Sequence, residues 1–378
     1  MDEEDGWNRM QPVIGPGSVT HQMSLNETYF PPAPDVLRAV RETAAESHRT
    51  LDALASGLTA RIAAHLDVPA EHVLPGPGSA ALLQQLFSTL TGPGTGTVHA
   101  WPSWEAYPML AANAASGTVP VPLRDQTHDL DAMAAAVTGR TRMVLLCNPN
   151  NPTGTAVGHE EVERFLGRLP SGVTVVIDEA YRDFADDAEA ADGIALYRND
   201  ERVCVVRTFS KSYGLLSQRV GYLVGHERTL GQLRGLQLFL RVSNTAQAAA
   251  VAALDDQAEF ARRCGATAEE RERLRSVLLA QGWTVTPSQA NFLWLPMESG
   301  VEELTQFCAD HGVLVCGKPG EGVRVTIGGR EADDAFAELA GKWRAETAGA
   351  PGPEVPPAHG RPPGRADATG SDAGTGST

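Results

Sequence analysis

Short β-branched runs alternating with helical stretches predict an α/β protein with a mainly parallel central sheet, followed by a smaller α+β unit. The strand-like runs are Val98 to Trp101, Val119 to Val121, Met143 to Cys147, Val173 to Ile177, Val203 to Val206 and Val220 to Val224. Between them, Ala80 to Leu90, Leu130 to Val137 and Glu160 to Leu169 carry apolar residues at helical spacing. From Thr229 to Gln281 the pattern turns long and helical, with many alanines and Glu/Arg pairs, and the smaller unit that follows ends near Trp343. A sheet of this kind places its functional residues at strand ends.

The 378 residues, 42% of them hydrophobic, suffice for a substantial core in two domains. Residues 1–23, broken by Gly6, Pro12, Gly15, Pro16 and Gly17, read as a flexible arm. A segment over 24–45 is expected to join the small domain, with a large domain over 46–240 and the small domain itself over 241–346. Residues 347–378 hold almost no large apolar side chain and form a tail expected to be disordered, because nothing offsets the entropy of ordering it. No apolar run approaches the roughly 18 to 20 residues of a membrane-spanning helix. The acidic start Met1-Asp2-Glu3-Glu4-Asp5 is opposite in charge to a secretory leader, so a cytoplasmic protein is expected. A formal net charge of -16 repels nucleic acid and anionic lipid, and any bound anion needs a local site. Cys147, Cys204, Cys264, Cys308 and Cys316 lack metal-ligand or redox spacing and read as buried small hydrophobes, with no metal site expected.

Of 31 Lys and Arg residues, only Lys211, Lys318 and Lys342 are lysines. In a chain that uses arginine so consistently, a lysine at a strand end points to chemistry that a permanently protonated guanidinium cannot perform. Schiff-base formation by a neutral amine is such chemistry. Lys318, in Gly317-Lys318-Pro319-Gly320, reads as a turn residue and Lys342 as an exposed helix residue, which leaves Lys211. Thr208, Ser210 and Arg219 around it suit a dianionic phosphate, which needs several charge-assisted hydrogen bonds; a solvated loop with an ordinary ion pair is the plain alternative. Gly76-Pro77-Gly78-Ser79, directly before the helix from Ala80, adds free amides at a helix start, although Gly-Pro turns are common there. Asn148-Pro149-Asn150-Asn151-Pro152-Thr153-Gly154 and Ile177-Asp178-Glu179-Ala180-Tyr181 each lie at a strand end. A carboxylate such as Asp178 at the end of a buried strand is costly unless it meets a cation, and a pyridinium nitrogen fits. A tight turn for the first segment, and a helix N-cap or buried ion pair for Asp178, remain the structural alternatives.

Taken together, these residues resemble the fold-type I pyridoxal-phosphate enzymes, in particular aminotransferases of the histidinol-phosphate aminotransferase group. The resemblance spans roughly Leu25 to Arg330 and rests on Asn-Asn-Pro-Thr-Gly at 150–154, Asp-Glu-Ala-Tyr at 178–181, Ser210-Lys211 with Arg219, and Ser288-Gln289-Ala290-Asn291-Phe292. It implies a PLP-dependent transferase-like fold whose large domain binds the cofactor. It also implies that Lys211 carries the cofactor, Asp178 faces its ring nitrogen, and Asn151 and Tyr181 bond its phenolic oxygen. Trp104 would stack on the ring, while Ser79, the Ala80 amide, Thr208, Ser210 and Arg219 would hold the phosphate. Arg324 would grip a substrate anion, with Asn151 and Phe30 beside it. The implied reaction is ping-pong transamination between an amino acid and a 2-oxo acid, in a homodimer with composite active sites. A decarboxylase or other lyase, a true histidinol-phosphate aminotransferase and a non-catalytic relative are the alternatives.

Departures from the family pattern cluster at substrate and subunit contacts. The usual Asn-Glu-Asn-Pro-Tyr is Asn26-Glu27-Thr28-Tyr29-Phe30, Arg-Tyr-Pro aligns with Arg49-Thr50-Leu51, and an expected arginine is Cys316. Leu216-Ser217-Gln218 replaces Ala-Gly-Leu before Arg219, and Gly78-Ser79-Ala80-Ala81 replaces Gly-Ser-Asp-Glu. With one of two clamp arginines missing, an amino acid held by Arg324 is expected as substrate in place of histidinol phosphate, unless Arg330 or Arg49 restores the clamp.

Overall fold

A computed structural model describes residues 20–50, 52–187, 190–235 and 240–348. In chain order its strands are β1 (His21–Gln22), β2 (Val73–Gly76), β3 (Gly96–Trp101), β4 (Gly117–Pro122), β5 (Thr141–Cys147), β6 (Thr174–Asp178), β7 (Val203–Thr208), β8 (Gly221–Val224), β9 (Phe292–Pro296), β10 (Val313–Leu314), β11 (Cys316–Lys318) and β12 (Gly322–Thr326). Seven form the central sheet in the order β2-β8-β7-β6-β5-β3-β4. Neighbours from β7 to β4 pair in parallel, and β8 alone runs antiparallel to both of its partners.

Two-residue periodicity in β5, β6 and β7 explains why these strands read as unbroken apolar runs. Val144, Leu146, Val175, Ile177, Val203 and Val205 enter the apolar cluster on one face of the sheet. Met143, Leu145, Val176, Cys204 and Val206 enter the cluster on the other, so both faces are covered. The six expected strands are β3 to β8, and the three expected helices are Ser79–Leu90, Leu130–Ala135 and His159–Leu166. β2 escapes the pattern because it is a short edge strand containing Pro75, a residue tolerated only where a ladder bond is dispensable.

A second unit contains the antiparallel sheet β11-β12-β9 and the parallel pair β1-β10. Its core gathers Leu274 and Leu278 from the helix Gln257–Ala280, Leu304 from Val301–Asp310 and Phe336 from Arg330–Ala348. Met23 is fully buried and β1 pairs with β10. Val36 and Ala246, on either side of the large domain expected over 46–240, share the apolar cluster of the central sheet. Residues 1–19 of the expected arm and 349–378 of the expected tail lie outside the described residues. All five cysteines are buried free thiols.

Candidate active site

Adjacent parallel strands deliver the site. Cys147 at the end of β5 lies in register with Asp178 at the end of β6, and Asp178 with Val206 of β7. The chain segments leaving these strand ends therefore carry Asn151, Tyr181 and Lys211 to one edge of the sheet. A cavity of about 150 Å³ opens there, and all ten residues expected to bind a cofactor line it, together with Cys147, Ala180 and Leu216.

Asp178 is 4% exposed. Its carboxylate accepts a hydrogen bond from Tyr107 Oη at 2.9 Å and one from the Ala180 amide at 3.2 Å. Burial nevertheless pushes its carboxyl up to about 6, against those two bonds. Lys211 Nζ donates to the Leu25 carbonyl at 3.0 Å. Burial first, then the Arg324 guanidinium, lower its ammonium to about 7, with Glu27 opposing. The site thus joins an amine that is neutral in a large fraction at neutral pH to a carboxylate that meets no cation among the described residues.

The other end of the cavity is shaped for an anion. The helix Ser79–Leu90 starts at Gly78 without a side-chain cap, leaving its first amides available. Gly78 adopts φ +90°, and a Cβ there would fall 2.5 Å from Arg219 Nη2. Glycine is what lets the guanidinium approach the helix start. Thr208 Oγ1 donates to Ser210 Oγ at 2.9 Å and accepts from the Ser210 amide at 3.1 Å, so the two hydroxyls form one cluster. Trp104 lies in the wall, edge-on to Tyr107 at 5.4 Å between centroids.

Arg324, in the centre of β12, is 6% exposed. It donates to Asn151 Oδ1 at 2.5 Å and to the Ser24 carbonyl at 2.6 Å, and its buried Nε has no partner among the described residues. Cys316, where a second arginine is expected, stands directly across from it in the β11–β12 register. Phe30, like Arg324, is not among the residues that line the cavity; it packs on Tyr29 at 4.2 Å, with the Arg262 and Arg263 guanidiniums over its ring at 5.1 and 5.4 Å. Lys318 is a correction, since it is a buried strand residue paired with Glu105 and not a turn. Glu179 of the Asp-Glu-Ala-Tyr group faces away from the cavity and pairs with Arg207 at 2.7 Å.

Sequence reasoning overlooked Tyr107 and Asn26. Tyr107 stands in the first turn of Ala106–Asn113, and its amide donates to the Trp104 carbonyl at 3.1 Å, which ties it to the turn that carries Trp104. Asn26 donates to Tyr181 Oη at 2.9 Å from a left-handed backbone with φ +54°, a conformation that nothing in the surrounding sequence signals.

The family described as aminotransferase class I and II matches residues 21–337. The chain belongs to that family. An aromatic amino acid aminotransferase of Thermobifida fusca is 47% identical to this aminotransferase over 87% of its chain and 91% of the relative. One of Streptomyces coelicolor is 44% identical over 89% and 94%. Among solved structures, histidinol-phosphate aminotransferase of Sinorhizobium meliloti in complex with pyridoxal-5'-phosphate superposes with a TM-score of 0.82 at 26% identity. That match covers 87% of this aminotransferase and 92% of the other chain.

Proposed function

We propose that the cavity binds pyridoxal 5'-phosphate and that an aromatic amino acid is the amino donor, its amino group passing to a 2-oxo acid in a ping-pong cycle. The carrying observation is the pairing, in one cavity, of a lysine lowered to about 7 with a buried carboxylate that has no cationic partner among the described residues. The residues present fit the cofactor. The uncapped helix start, Arg219 against Gly78, and the Thr208 and Ser210 hydroxyls suit its phosphate, and Asp178 suits its ring nitrogen. When bound, the cofactor supplies an electron-withdrawing ring that stabilises charge developing at the substrate Cα. Asp178 keeps the ring nitrogen protonated by supplying the buried counter-charge, and Tyr107 holds that carboxylate in place. Lys211 Nζ, half neutral near pH 7, takes and returns the proton.

Several relatives of 40–47% identity are aromatic amino acid aminotransferases, which supports the donor class. Arg324 is suited to an α-carboxylate, since one guanidinium fork satisfies both oxygens. A phosphate monoester dianion needs more than one fork, and neither proposed substitute reaches the cavity. Arg330 is exposed and bonded to Asp334, and Arg49 is exposed beside Glu46. A homodimer belongs to the same reading. Leu54 and Met109, 60% and 57% exposed, supply apolar surface for it, and symmetric dimers are the commonest oligomers. Steady-state kinetics with 2-oxoglutarate as acceptor should give a higher kcat/KM for phenylalanine, tyrosine or tryptophan than for aspartate or histidinol phosphate. A preference for histidinol phosphate would overturn the donor assignment.

A further inference from the structure

Lys318 Nζ and Glu105 Oε2 form an ion pair of 3.1 Å, with side chains only 6% and 16% exposed. Each partner adjoins a part of the site. Glu105 directly follows Trp104, and Lys318 ends β11, whose neighbour β12 carries Arg324. Cys316 and Lys318 are two residues apart on that strand and therefore share a face, so a cation on this face comes from Lys318. Burial works to raise the Glu105 carboxyl, yet the Lys318 ammonium and the Arg324 guanidinium outweigh it and hold the group below its ordinary value. One carboxylate thus feels two cations, and Lys318 has the direct contact.

We propose that Lys318 is a positioning residue that holds Glu105 away from Arg324 and so keeps that guanidinium free for the substrate carboxylate. The inference rests on the role given to Arg324 above. A buried carboxylate deprived of its partner must find another cation or protonate, because an unpaired charge in the interior is too costly to persist. Among the described residues, the other cation that acts on Glu105 is Arg324. An internal carboxylate at that range acts at high effective concentration, and it would compete with every substrate carboxylate alike.

The test uses holoenzyme in four forms: wild type, Lys318→Met, Glu105→Gln and the double variant. KM and kcat are measured with phenylalanine and 2-oxoglutarate. Kd is measured for 3-phenylpropionate, which has the carboxylate but no amine to react. Lys318→Met should raise KM and Kd about tenfold or more with kcat within about threefold, the signature of lost uniform binding. Glu105→Gln should bind at least as tightly as wild type, and the double variant should return to within about threefold of it. A double variant as impaired as Lys318→Met would mean that the pair only ties β11 to the Trp104 turn, and an unaltered Lys318→Met would equally overturn the proposal. Should Lys318→Met not fold, the other two variants decide, since a tenfold rise of KM in either contradicts an internal competitor. An Arg324→Ala holoenzyme with wild-type Kd for 3-phenylpropionate would instead remove the role of Arg324 itself.

Discussion

Asp178 shows what the site costs the fold. Its carboxyl stands at about 6 against an ordinary 3.8, so between those values the folded chain holds a proton that the unfolded chain has lost. Stability therefore falls as pH rises through this window, and the deficit is complete above pH 6. A displacement of about two pKa units corresponds to roughly 3 kcal/mol. Asp178→Asn should make the cofactor-free protein more stable by up to about that amount at pH 7 to 8 and by little at pH 4, while abolishing transamination. Urea denaturation across this pH range checks both halves. Tyr107→Phe removes the hydroxyl that donates to Asp178 and should weaken cofactor binding, by about tenfold for one lost bond to a charged acceptor. Lys211 offers a complementary signature. With its ammonium near 7, the rate at which cofactor-free protein captures pyridoxal 5'-phosphate should climb through neutral pH and level off by about pH 8. Lys211→Ala should retain no borohydride-reducible label and lose activity by at least about a hundredfold.

The helix Ser79–Leu90 and the turn before it act as one element. In Gly78→Ala the new Cβ would meet Arg219 Nη2 at 2.5 Å, at a φ of +90° that alanine adopts only under strain. Cofactor affinity should drop by about one to two orders of magnitude, for a penalty of about 1–3 kcal/mol, with the rest of the fold intact; fluorescence titration measures it. Elements like this one were legible in the sequence because their chemistry is contiguous. Asn151, Asp178 to Tyr181, and Thr208 to Lys211 each sit within a few residues of a strand whose apolar run marks its end. Arg324, Asn26 and the Lys318–Glu105 pair were harder, since their meaning depends on partners brought close only by folding. The surroundings of Phe30 were hidden for the same reason, since Arg262 and Arg263 over its ring come from a helix more than 200 residues away.

At the scale of the whole molecule, the N-terminal segment closes the site. The Ser24 carbonyl accepts from Arg324, the Leu25 carbonyl accepts from Lys211, and Asn26 Nδ2 donates to Tyr181 Oη, while β1 anchors the segment to β10. A chain shortened to begin after Asn26 should keep its central sheet, visible as a cooperative unfolding transition, yet lose cofactor affinity and activity together. The same arrangement sets an order of events during synthesis. Ser24 leaves the ribosome 300 residues ahead of the arginine it will bond. At about 5–20 residues per second, that separation is roughly 15 to 60 s. Over that interval the central sheet can be complete and the segment can already meet Lys211 and Tyr181, but Ser24 still lacks Arg324 and β1 still lacks β10, so a nascent chain carries Lys211 and Asp178 before it has a closed pocket. Translation itself postpones the onset of catalysis until the last strands have emerged.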